Sequence, residues 1–356
     1  MPDADWQVIT TYGDLPNNPE SGEFSAFLSA YKIFGDGPFQ EYLQHVATAR
    51  WFGERVDALE HAYGFYLKEQ WDLLDSVMNR NFEEVWPASP SILDRHTLIH
   101  RFLYMLVLAI DPKGMYPAAK YATWSRTFNK AAEFSECAHS LISQAEFKAA
   151  RRRVFEQFMS LLRNYTEWMP TLAVTHLRAL GRSIPEGWQV PLGRIDSLRD
   201  AYRQNFEVSC QMLPLVIRMQ NIAEGRAPDV IRTPGGAGEW EPRTIQPRDY
   251  VNNINQYTKA KAATKEAYLN HNKFLRHYWN SAFSRDVRNS IAHAEFDYVM
   301  HDGIVSYKNR EVPYYAFIEA LIKQFTLLAF WLDLCKLYEI YGSRWDTQNG
   351  KFMGLS

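Results

Sequence analysis

"FQEYLQHVATARWFGERVDALEHAYGFYLKEQWDLLDSVMNRN" (residues 39–81) carries its large apolar side chains three and four residues apart, with charges between them. That is the period of a helix with one face turned to a core, not the alternation of a strand. The same period returns in "SPSILDRHTLIHRFLYMLVLAI" (89–110), "AAEFSECAHSLISQAEFKAARRRVFEQFMSLLRNYTEW" (131–168) and "RIDSLRDAYRQNFEVSCQMLPLVIRMQNIA" (194–223). Gly53 and Gly64 are the expected bending points of the first stretch. A serine cap region opens the second and Asp111-Pro112 closes it. The third reads as one or two helices ended by Met169-Pro170, and Pro214 predicts a kink in the fourth. A polar, basic helix is expected over 250–283, and an apolar helix, "YYAFIEALIKQFTLLAFWLDLCKLYEIYG" (314–342), ending at Gly342. The fold class read from this pattern is all-α, a multi-helix bundle.

One interruption breaks the helical period. "FDYVM" (296–300) and "GIVSYK" (303–308) flank His301-Asp302-Gly303, and Asp-Gly between β-branched and aromatic runs signals a hairpin. One short β-hairpin is therefore expected before the last helix. Residues 224–249, with four Pro and four Gly, read as a loop or insertion between helices.

At about 150 residues per domain, 356 residues suggest about two domains or one large one. Hydrophobic residues make up 46% and aromatic residues 15%, enough for a core rich in large rings. Cys137, Cys210 and Cys335 lie far apart, odd in number and without metal spacing, which fits a reducing cytosol rather than a disulfide scaffold. The acidic opening, "MPDADWQVITTYGD", lacks the apolar core of an export signal. The longest uncharged apolar runs, 102–110 and 324–332, fall short of the roughly 20 residues of a membrane span. A cytoplasmic protein with no membrane partner is the expectation.

The net charge of −2 is unevenly spread. Residues 1–100 hold 6 Lys/Arg and 16 Asp/Glu; residues 148–203 hold 10 and 5, and residues 259–288 hold 7 and 2. The basic stretches suit a polyanion, or else pair with the acidic one. Acidic residues 1–100 covering 259–288 would form an electrostatic gate.

Several familiar signals fail. "TPGGAGEWEP" has no Lys-Ser/Thr and follows no strand, so it is not a phosphate-binding loop. No Gly-x-Ser-x-Gly elbow is present. His96 and His100 stand four apart, a spacing that can share a metal, with Asp94 nearby. A third ligand at a diagnostic spacing is missing, so a packed or surface histidine pair is the stronger reading. Arg151, Arg152 and Arg153 point three ways around a helix and read as a solvated face.

"RDVRNSIAHAEF" (285–296) survives this filter. Asn289 and His293, four apart, share a helical face, while Arg288 lies about 140° from His293 at 100° per residue. Alone, an Arg and a His at this spacing fit an ordinary helix end. The segment resembles the HEPN superfamily of small helical domains. Its motif is Arg, a spacer of four to six residues, then His, usually with Asn, Asp or His directly after the Arg. Here Arg288, Asn289 and His293 fill those places. The preceding long helix, apolar Val287, "IAHA", and the closing apolar helix belong to the likeness. It covers 194–342, with 224–249 as an insertion, and leaves 1–193 as an N-terminal helical domain and 343–356 as a tail. One subgroup paired with antitoxins has His-x-Tyr; Glu295 stands there instead, so modification of that tyrosine is not implied.

The resemblance implies a metal-independent endoribonuclease with no cofactor, as an anti-phage or toxin-type effector. RNA would be the substrate, and two chains would form one composite active site. Any regulatory partner protein is open. The residue types suit the reaction: attack by the 2′-hydroxyl needs a base, the leaving 5′-oxygen needs an acid, and histidine serves either role. A guanidinium fork matches the phosphorane charge. The alternatives are a HEPN module that only binds a nucleotide or a protein, and a metal enzyme built on His96 and His100.

Overall fold

The computed structural model describes residues 34–83, 86–111, 132–164, 168, 171–183, 195–223, 225–231, 250–269, 273–299 and 303–348. In chain order their elements are α1 (Asp36–Glu54), α2 (Val56–Leu67), α3 (Trp71–Asn81), α4 (Ile92–Ile110), α5 (Ala132–Ile142), α6 (Ala145–Arg163), α7 (Leu172–Ala179), α8 (Ile195–Ala223), α9 (Ile254–Lys259), α10 (Ala262–Tyr268), α11 (Lys273–Ala282), α12 (Arg285–Ala292), β1 (Phe296–Val299), β2 (Ile304–Tyr307), β3 (Arg310–Pro313) and α13 (Tyr314–Gln348). The chain is all-α in class with one small antiparallel sheet. Residues from Tyr42 onward form one compact unit. Of the other, Met1–Glu41, the described part is 34–41, with Gly35 at φ +69° just before α1.

The core is organised around α13. Ile318, Ile322, Phe325, Leu328, Phe330, Trp331, Leu334 and Leu337 are all buried, and at 100° per residue they occupy every side of the helix. A helix apolar all round has to be enclosed by others. Here α4, α5, α6, α8 and α11 pack on it, so helices from both sides of residue 193 share one core. The nine-residue apolar run at 324–332 sits inside a longer element. Tyr314–Ser343 is long and apolar enough to cross a membrane by length and composition, but 67% of its most apolar window is buried inside the protein. Polar ties fix its register against α8. Asn205 Nδ2 donates to Gln324 Oε1 at 2.9 Å, Trp331 Nε1 to Ser209 Oγ at 3.0 Å, and Tyr338 Oη to the Leu215 carbonyl at 2.7 Å. The α8 helix runs on through Pro214.

Several helix ends differ from those expected. The 39–81 stretch is three helices; the first break, at Arg55, falls two residues after Gly53, whereas Gly64 lies inside α2. The α2 helix ends where Glu69 takes φ +57°, with Gln70 N–H on the Phe65 carbonyl and Glu69 N–H on the Tyr66 carbonyl. This is a Schellman closure with glutamate in the place glycine usually takes. Among its described residues the basic 250–283 stretch is also three short helices rather than one. Ala260 and Lys261 are extended (ψ 155° and 153°), so the chain turns and the buried rings of Tyr257 and Tyr268 meet at 5.8 Å. The Tyr257 hydroxyl also donates to the Lys265 carbonyl at 3.0 Å across that turn. The 131–168 stretch is two helices among its described residues, and α4 stops at Ile110 as expected. Ser91 and Asp94 form a reciprocal capping box at its start.

The expected hairpin is present and gains a third strand. β1 pairs with β2 (Phe296 opposite Tyr307, Val299 opposite Ile304), and β2 pairs with β3 (Ile304 opposite Pro313, Tyr307 opposite Arg310). The second turn is only Lys308-Asn309, both at positive φ (46° and 61°), the geometry that suits the twist of paired strands. His301-Asp302, Met169-Pro170, most of the 224–249 insertion and the tail beyond Gln348 lie outside the described residues.

Gly342 does not end the last helix, which continues to Gln348. A Cβ at Gly342 would lie 2.6 Å from Ile142 Cδ1, 3.1 Å from the His139 nitrogen and 3.2 Å from the Ala138 carbonyl carbon. The glycine lets α13 and α5 cross with their backbones almost touching. Ile142 can move, but the backbone atoms can move only with the whole helix. Gly342→Ala is therefore expected to lower stability by about 1–3 kcal/mol, the usual cost of overpacking. Urea unfolding measures it, and a midpoint at the wild-type value would show slack in the crossing.

Candidate active site on the Arg285–Ala292 helix

The sequence places the motif residues on α12, and both ends of that helix are fixed locally. Ser284 is the N-cap, its Oγ accepting from the Val287 N–H at 3.4 Å. Its own N–H donates to the Tyr202 hydroxyl at 2.7 Å, which ties the start of α12 to α8. At the other end His293 is the C-cap, its N–H on the Asn289 carbonyl at 2.9 Å. Ala294 follows at φ +56°. Ala294 N–H reaches the Ile291 carbonyl at 3.3 Å and Glu295 N–H the Ser290 carbonyl at 2.8 Å, a second Schellman closure without glycine. The chain turns there into β1. Val287, Ser290 and Ile291 are buried beneath the helix.

Arg288 and Asn289 are brought together. Arg288 Nη1 donates to Asn289 Oδ1 at 3.1 Å. Nη2 of the same guanidinium forms an ion pair with Glu207 of α8, and its carbon lies 5.4 Å from the centre of the Phe206 ring. The Arg288 side chain is 30% exposed. The guanidinium thus lies over α8 with each terminal nitrogen held by one acceptor. Each of those nitrogens carries two hydrogens, so one on each is left over. His293 is exposed at the end of the helix, and no contact between its side chain and Arg288 or Asn289 is found among the described residues. Glu207 and Phe206 are missed by a sequence reading. They lie 81 and 82 residues before Arg288, in a helix whose amphipathic pattern says nothing about which exposed position meets it.

His96 and His100 go elsewhere. His96 Nδ1 and the Tyr66 hydroxyl are 2.7 Å apart, and that hydroxyl donates to Glu339 at 3.0 Å. A hydroxyl with one proton to give then accepts from a protonated His96 Nδ1. Arg151 forms an ion pair with the same Glu339. His96 therefore belongs to a core network linking α2, α4, α6 and α13, and the buried His100 ring packs edge-on against Tyr66 and Tyr63 beside it. Asp94, expected near them, is spent on the cap at Ser91. No group of three or more His, Cys, Asp or Glu that would hold a metal occurs among the described residues. Arg151 also departs from the expected solvated face. It is 7% exposed because Glu339 offers a buried partner, while Arg152 pairs with Glu156 at the surface.

The acidic segment does pair with a basic one, but with 148–203 rather than 259–288. Among the described residues, Asp57 and Glu60 meet Arg163, and Asp75 meets Arg95. In the 259–288 stretch, Arg285 meets Glu266 and Arg288 meets Glu207. No ion pair joins residues 42–100 to 259–288 among the described residues.

The chain matches no family model, no curated protein and no solved structure. The site is read from its own residues.

Ala294→Gly removes the cost of holding a Cβ at positive φ, and is expected to raise stability by about 1 kcal/mol. Chemical denaturation tests it, and a lower midpoint would show that the Ala294 methyl packs. The histidines give a pH dependence. Burial, reinforced by the Arg151 and Lys336 charges, pushes His96 down to about 4. Burial, with Lys336, His96 and Arg151 adding to it, pushes His100 well below its ordinary value. The unfolded chain binds these protons near pH 6.5 and the folded chain does not, so stability is complete above that pH and falls toward pH 4. The slope reaches about 1.4 kcal/mol per pH unit for each histidine. Urea midpoints at pH 7.5 and 5.0 measure it, and His100→Phe should flatten the difference; equal midpoints in the wild type would contradict the neutral network.

Proposed function

We propose that the chain is a metal-independent endoribonuclease of the HEPN type, acting in the cytoplasm as an anti-phage or toxin-type effector. The observation that carries this reading is the Arg288–Asn289 hydrogen bond at 3.1 Å on the helix whose C-cap is an exposed histidine. A fixed guanidinium with donors to spare suits a phosphorane, and an exposed imidazole suits proton transfer. His293 takes the proton of the 2′-hydroxyl or returns one to the 5′-oxygen. The products are a 2′,3′-cyclic phosphate and a 5′-hydroxyl. One chain offers one such imidazole, while the reaction uses a base and an acid. A two-fold contact that places two copies of α12 on one groove supplies both, because such an interface pairs each surface patch with itself.

A second reading has its own observation. Arg288 is paired with Glu207 and lies over Phe206. An arginine so engaged also suits a non-catalytic module, in which it only locks α12 to α8 and the exposed surface binds a nucleotide or a protein.

Incubating the purified protein with total RNA, with and without EDTA, separates the two. The expected result is EDTA-resistant cleavage with cyclic phosphate ends. Arg288→Ala and His293→Ala are each expected to lose about 10²–10⁴-fold in rate, the usual worth of an acid–base group. Asn289→Ala should lose less, since water partly replaces a positioning amide. Activity should fall on dilution below the dimer dissociation constant. Wild-type rates in either alanine variant would place the active site elsewhere. Full activity in a preparation that light scattering shows to be monomeric would end the composite-site model.

A further inference from the structure

A cleft of about 390 Å³ opens beside the first turn of α12, walled by α10 and one face of α11. Its size lies within the range of small-ligand sites. Arg276, Asn280 and Phe283 line it at positions i, i+4 and i+7 of one helical stripe, with Trp279 beside them. Glu266 enters from α10 and Arg285 from α12.

The polar groups of the cleft are held in a chain that begins in the core. Trp279, 2% exposed, donates its indole N–H to Glu266 Oε1 at 3.2 Å. The other oxygen of Glu266 accepts from Arg285 Nε at 3.1 Å and Nη2 at 2.6 Å. A buried ring thus fixes a carboxylate, and the carboxylate fixes one edge of the guanidinium. Among the described residues no acceptor takes the Nη1 group of Arg285. Arg276 is exposed and forms no ion pair among the described residues. Asp286, also on the wall, is taken up by Lys308 at 2.9 Å and Arg310 at 3.8 Å, and the Lys308 ammonium holds its carboxyl below the usual range. Among the lining residues Arg276 and Arg285 stand against Glu266 and Asp286, and of these carboxylates Asp286 is already paired from outside the lining by Lys308 and Arg310. An anion is the ligand this balance favours.

The position of the cleft narrows the class. Arg285 and Arg288 are three apart on α12, so their Cβ atoms lie about 5–6 Å from each other on neighbouring positions of the helix. We propose that this cleft is a phosphate subsite for single-stranded RNA, holding through Arg276 and Arg285 the nucleotide next to the one whose phosphate meets Arg288. The proposal rests on the ribonuclease reading for the role of Arg288, and the cleft itself is testable without cleavage.

The test uses the full chain and a fluorescein-labelled 2′-O-methyl oligoribonucleotide, which has no free 2′-hydroxyl and stays intact. Anisotropy gives the dissociation constant across a range of salt. Arg276→Ala and Arg285→Ala are each expected to weaken binding five- to tenfold and to lower the slope of log affinity against log salt by about 0.7, the contribution of one phosphate contact on a single strand. Arg152→Ala, at an exposed arginine of α6, should change neither. Competition with 5′-AMP distinguishes a strand from a free nucleotide. Displacement only at millimolar AMP supports the strand. Displacement at micromolar AMP that Arg276→Ala abolishes would reassign the cleft to a free nucleotide and overturn the proposal. Unchanged affinity and slope in both cleft variants would overturn it as well, even if the wild type cleaves RNA. Binding through the cleft by a protein that never cleaves RNA would overturn the ribonuclease reading alone. No binding at all would overturn both.

Discussion

Enclosure of α13 is the constraint on which the rest depends. Its apolar residues occupy every side, so the helix cannot lie on a surface in water, and α4, α5, α6, α8 and α11 close around it. Each large side chain that is fully buried contributes about 1.5–3 kcal/mol relative to exposure. Area alone does not set the register, because apolar contacts are non-directional. Register comes from the directional groups: Gln324 on Asn205, Trp331 on Ser209, Tyr338 on the Leu215 carbonyl, and the bare backbone at Gly342. A helix slid by one turn would lose all of these bonds and drive a side chain into α5.

The motif helix inherits its position from this core at one remove. Tyr202 of α8 stacks on Phe317 of α13 at 5.5 Å, and its hydroxyl takes the N–H of Ser284, where α12 begins. Four residues later, Phe206 lies under the Arg288 guanidinium, and Glu207 pairs with it. One helix therefore faces the core along one stripe and carries the candidate site along the next. A chain of contacts from a buried helix to an exposed arginine limits where that arginine can move, which is what positioning a phosphate asks of it.

The same arginine is suited to two uses. A guanidinium that pairs with Glu207 and rests on Phe206 is well placed to hold α12 against α8. The free hydrogens on its terminal nitrogens equally suit an anion. The two uses are compatible, since a pair whose carboxylate partner is 48% exposed is a weak one.

Much of the fold was legible in the sequence, and what was not has identifiable causes. The three- and four-residue spacing of apolar groups determined that the chain is all-α, because burial of one face is a property of each helix alone. Asp-Gly between β-branched runs marked the hairpin, and Ser91 with Asp94 marked a helix start, because these are local hydrogen-bond and dihedral preferences. The sequence also brought Arg288 and Asn289 side by side. Tertiary structure decided the rest. Glu69 and Ala294 adopt the positive φ that usually requests glycine, so the helices they close carry no stop signal; the surrounding packing outweighs a cost of about 1–2 kcal/mol. Gly342, which reads as a stop, is a point of close approach, because a glycine looks the same in the sequence whether it ends a helix or lets another one touch it. Arg151, Glu339, Tyr66 and His96 come from four helices, and only the fold could show that a charged run and one of the histidine pair meet in one buried network. Glu207 is the sharpest case. An exposed glutamate on a long helix carries no mark of its partner, because an ion pair is set by the distance between two elements, and that distance does not exist until the core has closed.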